Sequence, residues 1–328
     1  MVQVVRYSPE LRNDWDEFVA QSKNGTFMLY RGYMDYHSHR FEDCSLMFMD
    51  KGRVFAVFPA NTDRENHCIH SHQGLTYGGL IMGSEVDAVR VLEIFSLMKD
   101  FYRRELDAER IIYKAIPHIY WTQPSGEDEY ALFRNGAVLK ACGISSCVNL
   151  KSPIAYEHSR ANALKKGLKL QLKVEESDDM HGYWIILNEV LQTRHHKAPV
   201  HSAEELELLQ GRFPERIKLY VVRGVTGRII AGTYLYIYDN VLHTQYMTAT
   251  DEARHCGGLD ILIDHIIKHY ADSHQFLDFG ISTESDGTWL NDGLIYQKEG
   301  FGGRGICYNQ YEIRIAPTEN AEDTENTK

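Results

Sequence analysis

One stretch of the sequence decides the fold prediction: NVLHTQYMTATDEARHCGGLDILIDHIIKHYADSHQFLDFG, which runs from Asn240 to Gly280. Residues 241–247 are strand-like, and a pair of glycines at positions 257 and 258 follows them. Apolar side chains then recur at helical spacing, at positions 259, 262, 263, 266, 267 and 270. Residues 276–279 are strand-like again. The stretch therefore predicts a strand, a glycine turn, an amphipathic helix and a second strand.

A glycine turn directly before a helix is typical of an anion-binding site. The first N–H groups of a helix have no partner within the helix, and they lie at the positive end of its dipole. Gly257 and Gly258 also allow a ligand to approach the backbone closely. We therefore expect residues 254–258 to bind a phosphate-bearing cofactor, with a plain helix-opening loop as the alternative.

This order of parts resembles the GNAT acyltransferases, which bind acyl-coenzyme A. In that superfamily the turn holds the CoA pyrophosphate. Arg254, Gly257 and Gly258 resemble this turn, although Leu259 stands where the family has Gly or Ala. The resemblance also implies cofactor contacts from the splay beside the strand that precedes the turn: Tyr246, Met247 and Thr248.

The segment after the second strand resembles the end of a GNAT domain. Tyr296, with Gly300 and Phe301, matches a Tyr-x-x-x-Gly-Phe ending whose tyrosine lies near the thioester sulfur. Asn291 lies upstream, as the asparagine of the family does, and the resemblance implies a cofactor contact for it. A phenol with a pKa of about 10 can protonate a leaving thiolate. Tyr296 is therefore the predicted general acid, and a packing role at the helix end is the alternative.

The candidate general bases lie on or near the two strands. Asp278 alternates with apolar neighbours on the second strand, and Glu284 lies just past it, at the end where α/β sheets usually bind ligands. His243 lies on the preceding strand. Each of the three has a structural alternative, and water could relay the proton instead. His67, Cys68, His70 and His72 do not follow metal-site spacing on a strand and loop, so we predict no metal site.

Composition restricts the class of protein. The chain has 328 residues, which is enough for two domains, and 43% hydrophobic with 25% charged residues is typical of a soluble globular protein. Apolar runs are too short for a membrane span, and the N-terminus does not resemble a secretory signal. Six scattered cysteines favour reduced thiols in the cytoplasm. A net charge of −11 argues against a broad nucleic-acid groove.

The chain also shows the same order of elements twice. Each half predicts a helix, strands, a Gly-Gly pair, a long helix, a strand and a short helix that ends in glycine. We therefore predict an α/β fold with mixed, largely antiparallel sheets and two tandem GNAT-like domains. The proposed ranges are 1–155 for a degenerate N-terminal domain, 156–316 for the acyl-CoA-binding domain, and 317–328 for a disordered acidic tail.

A tandem pair of GNAT-like folds resembles the FemAB family of non-ribosomal aminoacyl transferases. Three segments carry this resemblance: residues 75–81, the basic junction 159–167, and Phe279-Gly280 together with Asn291 and the ending Lys298–Phe301. With the repeat, the resemblance covers about residues 5 to 315. No heptad run interrupts either half, whereas some FemAB members carry a coiled-coil arm. This difference favours an acyl-CoA donor over a charged tRNA.

The resemblance implies an N-acyltransferase of the EC 2.3.1 class. Its donor would be acetyl-CoA or another acyl-CoA, and its acceptor an amine of a small molecule or a cell-envelope precursor. Two alternatives stay open at this point: a FemAB-like transferase that uses aminoacyl-tRNA in cell-wall synthesis, and a non-catalytic protein that binds CoA or another ligand. The acceptor and the oligomeric state do not follow from the sequence.

Overall fold

The computed structural model describes residues 2–195 and 198–315, so the acidic tail 317–328 lies outside the described residues. The N-terminal half contains nine strands and four α-helices within those ranges: β1 (Gln3–Arg6), α1 (Arg12–Gln21), α2 (Arg31–Met34), β2 (Glu42–Asp43), β3 (Leu46–Asp50), β4 (Arg53–Phe58), β5 (Asn61–Asp63), β6 (Cys68–His70), β7 (Ile81–Met82), α3 (Ala88–Leu106), β8 (Arg110–Lys114), α4 (Glu127–Arg134) and β9 (Val138–Asn149).

The C-terminal half contains eight strands and six α-helices within the described ranges. A π-helical turn, Leu191–His195, extends its second helix. The elements are α5 (His158–Lys169), β10 (Val174–Ser177), α6 (Met180–Val190), α7 (Ala203–Arg212), β11 (Ile217–Arg223), β12 (Ile229–Ile237), β13 (Val241–Ala249), α8 (Asp251–Cys256), α9 (Gly258–Tyr270), β14 (Phe276–Ile281), β15 (Thr283–Glu284), β16 (Trp289–Leu290), α10 (Asp292–Glu299) and β17 (Arg304–Arg314).

The strands confirm the mixed α/β fold. Eleven of them form one sheet in the order β10-β11-β12-β13-β14-β9-β17-β8-β6-β5-β2, and β1-β3-β4-β7 form a second sheet. Each half supplies one parallel pair to the large sheet, β6 with β8 and β13 with β14. The remaining neighbours in that sheet are antiparallel. The parallel pairs occupy matching places in the two halves.

The two halves exchange a strand at the centre of the large sheet. Strand β9 ends the N-terminal half, but it pairs with β14 of the C-terminal half. Strand β17 ends the C-terminal half, but it pairs with β8 of the N-terminal half. The exchanged strands also pair with each other, antiparallel. One sheet therefore runs through both halves. The domain boundary near residue 155 stays a prediction.

Helix α9 shows why the sequence pattern gives this architecture. Its predicted apolar face packs on the sheet, and the six residues of that face are at most 9% exposed: Leu259, Leu262, Ile263, Ile266, Ile267 and Tyr270. Burial of each large aliphatic side chain contributes roughly 1.5–3 kcal/mol.

No helix within residues 2–195 and 198–315 combines the length and the apolar character that a bilayer crossing requires.

Candidate active site

The two strands of the C-terminal parallel pair diverge after three residue pairs. Val241, Leu242 and His243 pair with Phe276, Leu277 and Asp278. On its other side, β13 changes register against β12 between Thr244 and Tyr246, so that Gln245 bulges out of the ladder. A bulge at this place bends the strand away from its neighbour. The splay that the sequence predicts is therefore present.

A cavity of about 710 Å³ opens at this splay and extends between the two halves. The C-terminal half lines it with β13, the end of β14, helix α10 and the connection between α6 and α7. The N-terminal half lines it with residues 36–41, residues 73–76 and Lys114. Tyr308 and Gln310 of the exchanged strand β17 complete the wall. Both halves thus contribute to one cavity.

The charge of the cavity wall is opposite to the charge of the chain. Arg40, Lys114 and Lys298 line the cavity, together with the imidazoles of His37, His201 and His243. No Asp or Glu of the described ranges is among the lining residues, although the whole chain carries a net charge of −11. A cleft lined by one sign of charge concentrates ligands of the opposite sign. The wall therefore favours an anionic ligand.

A histidine–aspartate pair lies at the point where the strands diverge. The Nδ1 atom of His243 is 2.8 Å from Oδ2 of Asp278. Because an ionised carboxylate only accepts hydrogen bonds, Nδ1 carries the proton and donates it. The Nε2 atom is then the acceptor of the ring. His243 lines the cavity, whereas Asp278 is fully buried behind it.

Several donors surround the carboxylate of Asp278. Tyr308 donates to Oδ2 at 2.6 Å, and the hydroxyl of Tyr120 lies 3.0 Å from the same oxygen. The hydroxyl of Ser145 and the N–H of Gly280 donate to Oδ1. Burial by itself raises the pKa of Asp278, but the bond and charge of His243 and the bonds from Ser145 and Tyr308 outweigh it and lower the pKa to about 2. Asp278 is therefore ionised at neutral pH.

Two buried lysines face the cavity from opposite sides. Lys298 donates to the carbonyl oxygens of Gly280 and Ile281 at 2.7 and 2.9 Å. Burial lowers the pKa of Lys298 to about 8, although Asp278 raises it. Lys114 donates to the carbonyls of residues 73 and 75, and burial lowers its pKa to about 7. An ammonium group has three N–H donors, so each charged lysine keeps one donor beyond its two carbonyls.

The structure brings some of the predicted residues to the cavity and places others elsewhere. Tyr246 and Met247 line it, and Thr248 is buried beside them on β13. Glu284 lies in β15 and is not among the lining residues. Tyr296 is 63% exposed and does not line the cavity either. Residues two apart on a helix point about 200° apart, so α10 directs Lys298 into the cavity and Tyr296 to solvent.

The predicted phosphate-binding turn has a different structure from the expected loop. Arg254 lies in helix α8, where its Nε donates to the carbonyl of Ala249. Gly257 alone forms the turn, with φ +80°, and a Cβ on it would lie 2.0 Å from the carbonyl oxygen of Ala163 in α5. Gly258 and the next two residues of α9 are buried. Helix α5 thus covers the end of α9 that a pyrophosphate would need to reach, so the turn does not fit that group.

Asn291 also has a local function in the fold. Its side chain accepts a hydrogen bond from the N–H of Leu294 at 3.0 Å, which makes it the N-cap of α10. The cap fixes the start of the helix that carries Lys298. Asn291 is not among the residues that line the cavity. Its predicted contact with a cofactor therefore stays a prediction without support from the cavity geometry.

Comparisons with known proteins show which domains and folds this chain resembles. Residues 154–287 match the family model described as an acetyltransferase (GNAT) domain. The match lies within the C-terminal half, and it includes the strands whose divergence opens the cavity. A search of curated proteins gives no match.

Solved structures are similar over almost the whole chain. The structure of FemX superimposes with a TM-score of 0.68 at 12% identity, over 95% of this chain and 97% of that one. The structure of L-PGS from Bacillus licheniformis gives 0.60 at 12% identity, over 96% and 94%. A tandem GNAT protein from the clavulanic acid biosynthesis pathway gives 0.51 at 10% identity, over 97% and 100%. These likenesses confirm the predicted tandem GNAT-like fold.

Sequence reasoning missed four residues of the site: Tyr120, Tyr308, Lys114 and Lys298. Lys298 stood inside the quoted ending Lys298–Phe301, but α10 has almost no amphipathic pattern that could have pointed to it. Lys114 ends the apolar strand β8, where a lone lysine is a signal of a buried charge. The two tyrosines carry no local signal, because their role depends on distant strands.

Proposed function

We propose that the protein is an N-acyltransferase that moves an acyl group to an amine inside this cavity. The observation that carries the proposal is the His243–Asp278 pair at the divergence of β13 and β14, with the imidazole on the cavity and the carboxylate buried behind it. A histidine oriented in this way suits general-base catalysis, which contributes typically about 10²–10⁴-fold to a rate.

The pair would act on the proton of the acceptor nitrogen. The amine attacks the acyl carbon, a C–N bond forms, and the C–O or C–S bond to the leaving group breaks. Nε2 of His243 takes the proton that the nitrogen loses and gives it to the leaving oxygen or sulfur, which departs as an alcohol or a thiol. Asp278 stays ionised and stabilises the imidazolium that forms. No covalent enzyme intermediate is needed.

Lys298 would stabilise the negative charge that develops on the acyl oxygen. Its two bonds to the carbonyls of Gly280 and Ile281 fix the ammonium at the end of β14. The third N–H is then available to an oxyanion, and a donor that is positioned in advance stabilises the transition state without reorganisation. Tyr296, the predicted general acid, does not line the cavity, so this proposal gives it no catalytic role.

The acceptor would carry a negative group near its amine. Arg40 and Lys114 lie on the wall that the N-terminal half supplies, and the lining contains cationic and neutral side chains only, within the described residues. Arg40 is already paired with Glu205 behind the wall, so Lys114 is the main cationic group on this side. A carboxylate or phosphate would pair with these groups. Small-molecule acceptors and cell-envelope precursors with such a group both fit this chemistry.

The proposal allows two classes of acyl donor, an acyl-CoA and an aminoacyl-tRNA. Acetyl-CoA is the first donor to test, because the GNAT acyltransferases that this chain resembles use acyl-CoA. A second candidate, an aminoacyl ester of tRNA as in the FemAB family, is favoured by one observation. Helix α5 covers the N-terminus of α9 through the contact between Gly257 and Ala163, so a donor that does not place a pyrophosphate there is easier to accommodate.

The test begins with donor binding and continues to turnover. Calorimetric titration with acetyl-CoA, CoA and a mixed aminoacyl-tRNA pool identifies the donor. Turnover is then followed with amines that carry a carboxylate or a phosphate, by thiol release or by loss of radiolabelled aminoacyl ester. We expect His243→Gln to bind the donor but to lose turnover, with His265→Gln on α9 as a control. Absence of binding for all three ligands would contradict the proposal.

A further inference from the structure

We propose that Tyr120 of the N-terminal half is a positioning residue for the reaction, because it sets the hydrogen bonding of Asp278 and through it the basicity of His243. The inference rests on the proposed function of His243 as the base. It adds that the N-terminal half completes the proton-transfer machinery of the GNAT domain and does more than form one wall of the acceptor cavity.

Tyr120 reaches the pair from outside the GNAT domain. It ends the short 3-10 turn His118–Tyr120, which joins β8 to α4. The side chain is 4% exposed, and its ring packs against Tyr77 and Tyr238 with both centroid distances at 4.9 Å. The hydroxyl lies 3.0 Å from Oδ2 of Asp278. Packing therefore holds the hydroxyl on the carboxylate.

The hydroxyl of Tyr120 has one proton and three polar atoms within reach. They are Oδ2 of Asp278 at 3.0 Å, the hydroxyl oxygen of Tyr308 at 2.9 Å and Nδ1 of His243 at 3.3 Å. Nδ1 of His243 already donates its own proton to Oδ2, so it has no lone pair to offer. Burial raises the pKa of Tyr120, so the phenol stays protonated and acts as a neutral donor. Its proton thus goes to the carboxylate or to Tyr308.

Both arrangements reduce the negative charge that His243 experiences. In the first, Tyr120 donates to Oδ2 directly. In the second, it donates to Tyr308 and polarises the bond that Tyr308 makes to Oδ2 at 2.6 Å. A hydrogen bond to an ionised carboxylate stabilises it and weakens its hold on a nearby cation. Removal of the Tyr120 hydroxyl should therefore make His243 more basic.

Other charged and polar groups also face the pair, and the Tyr120→Phe substitution changes none of them chemically. Lys298 interacts with Asp278 from α10, and Tyr308 reaches it from β17. Cys147 lies beside it on β9, and Tyr77 lies behind Tyr120. Ser145 is a neutral donor on Oδ1. Among these groups, only Tyr308 also bonds to the Tyr120 hydroxyl. The effect of the substitution on His243 therefore passes through Asp278, either directly or by way of Tyr308.

The test is a histidine titration by ¹⁵N nuclear magnetic resonance on the full chain, with His243 assigned through His243→Gln. In Tyr120→Phe we expect the midpoint of His243 to rise by roughly one pH unit. Tyr33→Phe is the matched control, because it removes a buried hydroxyl that bonds to Tyr236 at 3.0 Å. It should leave the midpoint unchanged. A folded Tyr120→Phe variant with the wild-type midpoint would overturn the inference.

A second variant protects the test against misfolding. Incorporation of 3,5-difluorotyrosine at position 120 keeps the shape of the ring and makes the phenol a stronger donor. The midpoint of His243 should then fall, and a midpoint at or above the wild-type value would overturn the inference. The titration needs no substrate, so its failure is distinguishable from a failure of the proposed acyl transfer, which the turnover assay reports separately.

Discussion

The contact between α5 and the glycine turn makes a measurable prediction for Gly257→Ala. The added Cβ would lie 2.0 Å from the carbonyl oxygen and 2.9 Å from the carbonyl carbon of Ala163, and 3.1 Å from the N atom of Gly167. These are backbone atoms of a helix, so they cannot rotate away. The left-handed backbone at φ +80° costs about 1–2 kcal/mol for a residue with a side chain. Displacement of the packed helix adds about 1–3 kcal/mol.

The matched control is Gly227→Ala in the β11–β12 hairpin. Gly227 has φ +77°, which is nearly the same, but nothing lies within 4 Å of the place that an added Cβ would occupy. Gly227→Ala should lose only the conformational part, about 1–2 kcal/mol, and Gly257→Ala should lose about 2–5 kcal/mol. Urea unfolding measures both. Equal losses would refute the reasoning, since the turn would then be open and accessible to a pyrophosphate.

Three further predictions concern buried charges. The pKa of Asp278 is lowered to about 2, so its contribution is present above the unfolded pKa and is lost as the pH falls through 2. Asp278→Asn should therefore reduce the free energy of unfolding at pH 7 by about 2 kcal/mol, measured with urea, and an unchanged value would contradict it. Burial raises the pKa of Asp128 to about 7 against a hydrogen bond from Tyr113. The contribution of protonated Asp128 to the free energy of unfolding is thus lost as the pH rises from 4 through 7. The free energy of unfolding of Asp128→Asn relative to wild type should therefore rise over that window in the same urea assay. In steady-state kinetics with an identified substrate pair, Lys298→Met should lower kcat by about 10²-fold, and Lys114→Met should mainly raise KM for an anionic acceptor. The same kinetic change in both variants would remove the distinction between their roles.

The fold was largely predictable because its elements have strong local patterns. The apolar spacing of α9 predicted which side chains pack on the sheet, and the capping box of Ser202 and Glu205 marks the start of α7. Strand β9 was missed. Its sequence from Val138 contains Cys, Gly and Ser in place of a continuous β-branched run, and its partners lie in the other half of the chain.

The site was less predictable than the fold. Tyr296 and Lys298 lie two positions apart on α10, and the choice between them depends on how that helix docks onto β14. The basic junction 159–167 lies in helix α5, where Arg160 pairs with the buried Asp260 at 3.2 Å. Helix docking and long-range strand pairing are tertiary effects, and no local pattern records them.

The exchanged strands have a consequence for how the chain reaches its final structure during synthesis. Ile112 of β8 pairs with Glu312 of β17, a partner that is translated 200 residues later. Until the end of the chain emerges, β8 and β9 have unpaired edges, and such edges are prone to association with other chains. Closure of a loop of that length also slows folding. Strand β17 is therefore required to complete the fold. A polypeptide that stops before Arg304 lacks the strand that pairs with both β8 and β9 at the centre of the large sheet.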